Sequence, residues 1–205
     1  MPRQLLLPSH TCLLTFASSD QKIWSLAEDA LDLLQLFRKQ LASVSETLAF
    51  AIVPGTAVFI VSFGDEEVLF KYFKNEGKFP EENETLEGIR ALNKQLSAQQ
   101  FNVFDRQLYK LLTGLFTPEK SRKIQLTCKT LSDDTETRHE IIRIHHLPVI
   151  THCCASPANW KFSSYQAVLS DAPTALQRDK VLSLFGTREN FSSAHSAVAD
   201  QTYSA

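Results

Sequence analysis

The side chains best suited to chemistry cluster between residues 139 and 154. This segment holds four of the six histidines and two of the four cysteines of the chain. Imidazole and thiolate groups bind metals and act as bases or nucleophiles. We therefore take this His/Cys-rich segment (residues 139–154) as the first candidate for a functional site, although its spacing matches no motif with an established mechanism.

A metal site is one hypothesis for the His/Cys-rich segment. If residues 149–154 form a strand, His152 and Cys154 share one face, because side chains two residues apart point the same way. With His145 they would supply three ligands to zinc, which accepts mixed nitrogen and sulfur donors. The C-x-x-C spacing of familiar structural zinc sites is absent. A fourth ligand would come from a neighbouring strand, from Cys128 or His139.

A thiol nucleophile is the second hypothesis for the same segment. Cys153 or Cys154 would attack, with His10, His139 or His195 as the base. No glycine-flanked turn, at which catalytic cysteines often sit, surrounds the two thiols. The competing interpretation is that the cysteines are small core residues, as free cysteines commonly are, and that the histidines lie partly exposed on strands.

Several enzyme classes are excluded by missing motifs. The sequence has neither G-x-G-x-x-G nor G-x-x-x-x-G-K-[ST], so it lacks both common phosphate-binding loops. His139-Glu140 is not the H-x-E of zinc deaminases, and neither P-C-x-x-C nor the hydrolase motif G-x-S-x-G occurs. The formal net charge of −2 predicts no overall attraction to nucleic acid.

Length and composition predict a globular chain. We expect one α+β domain over residues 1–185, with a sub-boundary near 117–122 and a disordered or loosely attached tail over 186–205, where the chain is rich in Ser, Ala and Thr. Four cysteines, two of them adjacent, indicate reduced thiols and a cytoplasmic or nuclear protein. No apolar run approaches the roughly 18 residues that a membrane span needs.

The first half of the chain reads as one strand, one long helix and three more strands. Apolar residues recur at helical spacing over residues 21–42, at 23, 26, 30, 34, 37 and 41. We expect this amphipathic helix to pack across an antiparallel sheet. Strands are predicted at 11–16, 47–53, 57–63 and 67–73, and turn residues between the last three favour a meander.

The second half is predicted to alternate between helices and strands. Two helices are expected around 84–96 and 104–115, followed by a strand over 123–130 with alternating apolar and polar residues. A polar loop is expected at 132–138, strands at 140–145 and 149–154, and a helix at 173–185.

These observations lead to a prediction of a non-catalytic protein–protein interaction module. The partner protein would dock on a sheet edge or on the predicted helical face near 84–116, and neither nucleic acid nor a membrane span is indicated. The alternative is an enzyme or a structural zinc site in the His/Cys-rich segment. The positive argument for docking is a supply of aromatic side chains, some of which would be exposed, and the alternative is that all five lie in the core: Phe70, Tyr72, Phe73, Phe101 and Phe104.

Overall fold

The computed structural model describes residues 11–18, 31–32, 34–35, 45–63 and 124–202. Within them an antiparallel sheet of four strands is combined with helices, which confirms the predicted α+β class. The strands are β1 (Thr11–Ser18), β2 (Ser45–Val53), β3 (Thr56–Phe63) and β4 (Ile124–Leu131), and their order in the sheet is β2-β3-β1-β4. The helices are α1 (Asp134–Ile150), α2 (Tyr165–Leu169), α3 (Arg178–Phe185) and α4 (Arg188–Thr202), with a 3₁₀ turn at Pro157–Asn159.

The β2–β3 hairpin forms as its sequence predicts. Val53 pairs with Thr56 across the two-residue turn of Pro54 and Gly55. Gly55 has φ 75°, a conformation that other residues rarely adopt. The interior of β3 is buried on both faces, as expected from its continuous apolar run. However, β3 pairs with β2 on one edge and β1 on the other, so the predicted meander from β3 into residues 67–73 is wrong.

Strand β4 confirms the prediction for residues 123–130. Its half-buried and exposed positions alternate from Ile124 to Thr130, because the side chains of a strand point alternately to its two faces. On the edge of the described sheet β4 pairs along its whole length with β1, from Thr11 opposite Leu131 to Ser18 opposite Ile124.

The predicted strands at 140–145 and 149–154, and the predicted loop at 132–138, are wrong. Most of these residues belong to α1. The carboxylate of Asp133 accepts a hydrogen bond from the Glu136 amide, and the Glu136 carboxylate accepts one from the Ser132 amide, so the expected loop is in fact a helix cap. The buried residues Ile141, Ile144 and His145 then follow at helical spacing.

The two faces of the sheet carry different contacts. Leu13, Ile60 and Leu131 lie on the face that packs against the helices α1, α3 and α4. Cys12, Leu14, Phe16 and Phe59 are buried on the opposite face. Residues 31, 32, 34 and 35 are helical, and Leu34 lines a small cavity together with Phe50 and Phe59, in agreement with a helix packed across the sheet. Leu31, in the same helical segment but outside the apolar stripe given above, is 51% exposed.

The end of the described chain corrects the prediction of a loose tail. Residues 188–202 form α4, whose Phe191 and His195 are buried in the core. These two buried side chains attach α4 to the core, which the Ser-, Ala- and Thr-rich composition of the segment does not indicate. The predicted helix at 173–185 begins later, at Arg178, and ends as expected at Phe185. The predictions for 67–73, 84–96, 104–115 and 117–122 lie outside the described residues. None of the described helices is long and apolar enough to cross a membrane.

Candidate functional site

Three histidines from two helices meet in the core. His145 and His146 lie on α1, His195 lies on α4, and each of them is at most 3% exposed. The His145 Nδ1 and His195 Nε2 atoms are 2.9 Å apart, and the His146 Nε2 atom is 2.9 Å from the His195 carbonyl oxygen. We call this group the histidine cluster (His145, His146 and His195).

The histidine cluster is joined to the sheet by a serine. The His145 Nε2 atom lies 2.7 Å from the Ser164 hydroxyl, which also accepts a hydrogen bond of 2.9 Å from the Phe50 amide of β2. The Ser164 amide in turn donates to the Phe50 carbonyl at 2.9 Å. One buried serine side chain therefore connects β2 to α1, and His145 extends the connection to α4.

The carbonyl partners fix the direction of these hydrogen bonds. The His195 Nδ1 atom must donate to the Phe191 carbonyl at 2.7 Å, since a carbonyl oxygen only accepts. In a neutral His195, Nε2 then accepts from the His145 Nδ1 proton, and the His145 Nε2 atom accepts from Ser164. Both ring nitrogens of His145 and of His195 are thus occupied, and these two imidazoles are satisfied in their neutral form.

Burial keeps the histidine cluster neutral. It lowers the pKa of His145 well below its usual value, and the neighbouring His195 and His146 act in the same direction. Burial also lowers the pKa of His146, and it lowers the pKa of His195 to about 4. The surrounding side chains are aromatic: Tyr165, Phe185 and Phe191. A desolvated apolar setting disfavours the charged imidazolium. The arrangement holds helices to the sheet. The ring nitrogens of His145 and His195 are occupied by these hydrogen bonds and are not available to a substrate.

The predicted metal ligands do not meet. His145 is buried in the histidine cluster, whereas His152 lies in the exposed turn after α1 with φ 58°. The Cys154 thiol is hydrogen-bonded at 3.1 Å to the Ser156 carbonyl. The described residues contain no group of three or more His, Cys, Asp or Glu side chains that could hold a metal ion. The zinc hypothesis assumed a strand at 149–154, and the turn that replaces it removes the shared face.

The additional ligands and bases proposed from the sequence are also dispersed. Cys128 pairs with Leu14 on the sheet face opposite α1, and its pKa is raised by a hydrogen bond with Cys12 and by burial. His139 is exposed in the first half of α1, and His195 is buried. His10 lies outside the described residues.

The adjacent cysteines do not form a Cys–His pair in this structure. The Cys153 sulfur lies 3.3 Å from the Thr151 hydroxyl, and the Cys154 sulfur donates to a backbone carbonyl. Burial raises the pKa of Cys154, which reduces its thiolate fraction at neutral pH. Both thiols are half-buried and free of disulfide bonds. The interpretation that they are ordinary packing residues fits these contacts better than the nucleophile hypothesis.

Most basic side chains of the described region are already paired. Lys129 contacts Glu136 and Glu140, Arg143 contacts Glu140, Lys180 contacts Glu46, and Arg188 contacts Asp171. Within the part of the chain that the structure describes, Arg138, Lys161 and Arg178 form no ion pair within 4.0 Å. Arg178 instead donates to the backbone carbonyls of Ala167 and Ala172. Arg138 and Lys161 are therefore the described cations most available to an anionic ligand.

Comparison with known proteins gives one structural relationship. No known protein family and no curated protein matches the sequence. The fold is similar to that of a solved REP-associated tyrosine transposase bound to a REP hairpin, with a TM-score of 0.51 and 13% sequence identity. The match covers 84% of this chain and 88% of that chain. At this identity the similarity establishes a shared fold.

This relationship corrects two predictions made from the sequence. The prediction of a non-catalytic protein–protein interaction module is wrong, because the protein of similar fold is a transposase, which is an enzyme that acts on nucleic acid. The prediction that no nucleic acid is involved is wrong for the same reason, because that neighbour was solved with a bound hairpin. The net charge does not exclude a nucleic-acid partner, since it reports the average over the surface and carries no information about a local binding site.

Proposed function

We propose that this chain is a nucleic-acid-binding domain whose ligand is a DNA hairpin. The observation that carries the proposal is the structural match to a hairpin-bound transposase over most of both chains. A match of that extent includes the sheet and the helices packed on it, rather than a single supersecondary motif. A cytoplasmic or nuclear location belongs to the same proposal, since DNA is found there.

The electrostatics of the chain favour recognition by a local surface. The formal net charge is −2, and four of the seven basic side chains in the described part of the chain form ion pairs, so that part has few free cations to neutralise phosphates. Binding of a DNA backbone by these described cations alone would therefore be weak, because few phosphates would be neutralised. A folded DNA end offers a distinctive shape and unpaired bases, which a nearly neutral protein can recognise by stacking and hydrogen bonding.

The experiment is a titration of fluorescent DNA with the full chain, followed by anisotropy at several salt concentrations. The probes are a hairpin with single-stranded flanks, the same hairpin without flanks, and a perfect duplex of equal length. Preference for the flanked hairpin over the duplex, maintained as salt rises, is expected. Equal affinity for all three probes, or an absence of binding at low salt, would refute the proposal.

Strand cleavage is a second activity that the comparison favours, because the neighbour is named as a tyrosine transposase. When a tyrosine oxygen attacks a phosphodiester, a new O–P bond joins the tyrosine to one part of the strand. The bond from phosphorus to the sugar oxygen of the other part breaks, and that oxygen leaves as a hydroxyl. Tyr165, the one tyrosine among the described residues, is 8% exposed and packs against His145 and Phe191, so it is unsuited to reach a DNA backbone. A nucleophile would come from the tyrosines outside the described residues: Tyr72, Tyr109 and Tyr203.

The test for cleavage is incubation of the flanked hairpin with magnesium or manganese and separation under denaturing conditions. A protein–DNA adduct that disappears in one of three single Tyr→Phe variants would support cleavage and identify the nucleophile. Binding without adduct under both metals would restrict the proposal to recognition.

A further inference from the structure

The segment that follows the 3₁₀ turn forms a rigid addition to the edge of the sheet. The Ile52 amide donates to the Phe162 carbonyl at 2.9 Å, and Ala51 forms an isolated antiparallel bridge with Ser163. The Trp160 indole N–H donates to the Ile52 carbonyl at 2.8 Å, close to the Pro54–Gly55 turn. Residues 160–164 thus run along the outer edge of β2, and backbone bonds at several points fix their position.

Three consecutive side chains of this segment combine aromatic rings with a positive charge that forms no ion pair among the described residues. Trp160 and Phe162 are half-buried, with ring centroids 5.7 Å apart in an edge-to-face arrangement. Lys161 between them is exposed, and its ammonium group lies 4.8 Å from the centroid of the Phe162 ring. Neither aromatic residue belongs to the hydrophobic core cluster beneath α1. We name this surface the aromatic–basic patch (Trp160, Lys161 and Phe162).

From this geometry we propose that the aromatic–basic patch binds unpaired nucleotides, with a base stacked on an aromatic ring and Lys161 at the adjacent phosphate. This inference rests on the proposed function and specifies the part of the DNA that is recognised. Sites for single-stranded nucleic acid combine such rings with cations, because every base has a face that stacks and every nucleotide carries a charge. The patch offers both elements on three neighbouring residues, already held in place before binding.

The contacts of the patch also explain why it suits a nucleotide better than a protein partner. The indole N–H of Trp160 already donates to the Ile52 carbonyl, so a ligand would contact this side chain through its rings and not through that polar group. The Lys161 ammonium has no carboxylate partner among the described residues and is therefore available to a phosphate. The alternative is that Lys161 only stabilises the Phe162 ring within the protein, where such a contact is weak at an exposed site.

The first test compares two charge-neutralising variants of the full chain, Lys161→Gln and Arg138→Gln. Both remove one cation that lacks an ion pair within the described residues, so they change net charge equally, but Arg138 lies on α1 and not on the patch segment. We expect Lys161→Gln to weaken binding of the flanked hairpin several-fold and to reduce the slope of log affinity against log salt by roughly 0.7, the value for one contact to a single strand. Arg138→Gln should leave both quantities close to those of the unchanged chain.

The second test examines stacking directly. Phe162→Leu should weaken binding to the flanked hairpin by about tenfold, which corresponds to the loss of one base–aromatic stack, whereas Phe162→Tyr should retain the affinity. Fluorescence of Trp160 should fall when a (dT) oligonucleotide is added, and the change should vanish in Trp160→Phe, where Trp24 alone emits. A purely structural lysine–phenylalanine contact would not produce quenching by an oligonucleotide.

The outcomes separate this inference from the proposed function. If the unchanged chain prefers the flanked hairpin, yet Lys161→Gln, Phe162→Leu and Arg138→Gln bind it equally well, the aromatic–basic patch is not the site and the proposed function remains. If the unchanged chain binds no DNA probe, the proposed function fails and the inference fails with it. Equal weakening by Lys161→Gln and Arg138→Gln would show a general charge effect and would overturn the assignment of the patch.

Discussion

Acidification should unfold this protein through the histidine cluster. The pKa of His195 is about 4 in the folded chain, against about 6.5 for an imidazole in an unfolded one. Between these values the unfolded state binds the proton more readily, so stability is fully present above about pH 6.5 and falls as the pH drops toward 4. From these two pKa values, His195 alone removes about 1.4 kcal/mol of unfolding free energy at pH 5.5 and about 3 kcal/mol at pH 4.

The other members of the cluster act with the same sign. Burial lowers the pKa values of His145 and His146 as well, so their protonation also favours the unfolded state as the pH falls. The unpaired charge would interrupt the hydrogen bonds that run from Ser164 through His145 to His195. Since a domain is typically stable by only about 5–15 kcal/mol, these losses are a large fraction of the total.

The assay is guanidinium denaturation at pH 7 and 5.5 at constant ionic strength, a range above the titration of ordinary carboxylates. The unchanged chain should lose more than about 1 kcal/mol over this interval. The variant His195→Gln should be less stable at pH 7 but should lose less on acidification, and the control His139→Gln, at an exposed position on α1, should behave like the unchanged chain. Constant stability from pH 7 to 5.5, or an undiminished loss in His195→Gln, would refute the reasoning.

Further predictions concern the connections of the cluster, the start of α1 and the role of metals. Ser164→Ala should lower the unfolding free energy by about 1–3 kcal/mol, because it leaves a buried amide and a buried imidazole without their partner. The control Ser183→Ala, at an exposed position, should change the unfolding free energy by less than about 0.5 kcal/mol. Denaturant titration measures both values. Asp133→Ala should lower the unfolding free energy by about 1 kcal/mol because the N-cap is lost. Asp134→Ala, one residue further on, should lower it by only a few tenths of a kcal/mol, so equal losses in the two variants would contradict the capping role of Asp133. A chelator should leave the melting temperature unchanged, and a fall that zinc restores would revive a metal site in the His/Cys-rich segment.

Some features of this protein follow from local sequence. The β2–β3 hairpin is specified by two apolar runs and by Pro54–Gly55 between them, and β4 by its alternation of apolar and polar residues. These patterns act between neighbours in the chain, where the loop to be closed is short and the side-chain period is clear. The α+β class and the antiparallel pairing of β2 with β3 could therefore be predicted from the residues alone.

The start of α1 is also indicated by local sequence, although a competing signal in the same segment led to the prediction of strands. Ser132, Asp133 and Glu136 are the residues that commonly begin a helix, and Ile141, Ile144 and His145 follow at helical spacing. The β-branched run at 141–144 and Pro148 favoured strands instead. The helix persists because packing against β2 and α4 outweighs weak local preferences, and Pro148 is tolerated in its last turn.

The site itself was decided by tertiary structure. His145 and His195 are fifty residues apart, and no spacing rule predicts that their rings meet at 2.9 Å or that Ser164 joins them to β2. The residue types of the His/Cys-rich segment are unusual in sequence. Their chemistry depends on whether they are buried, and burial is determined by how α1 and α4 pack. In water these histidines would titrate near neutral pH, while in this core they stay neutral and hold helices to the sheet, because a charge is costly where water is excluded.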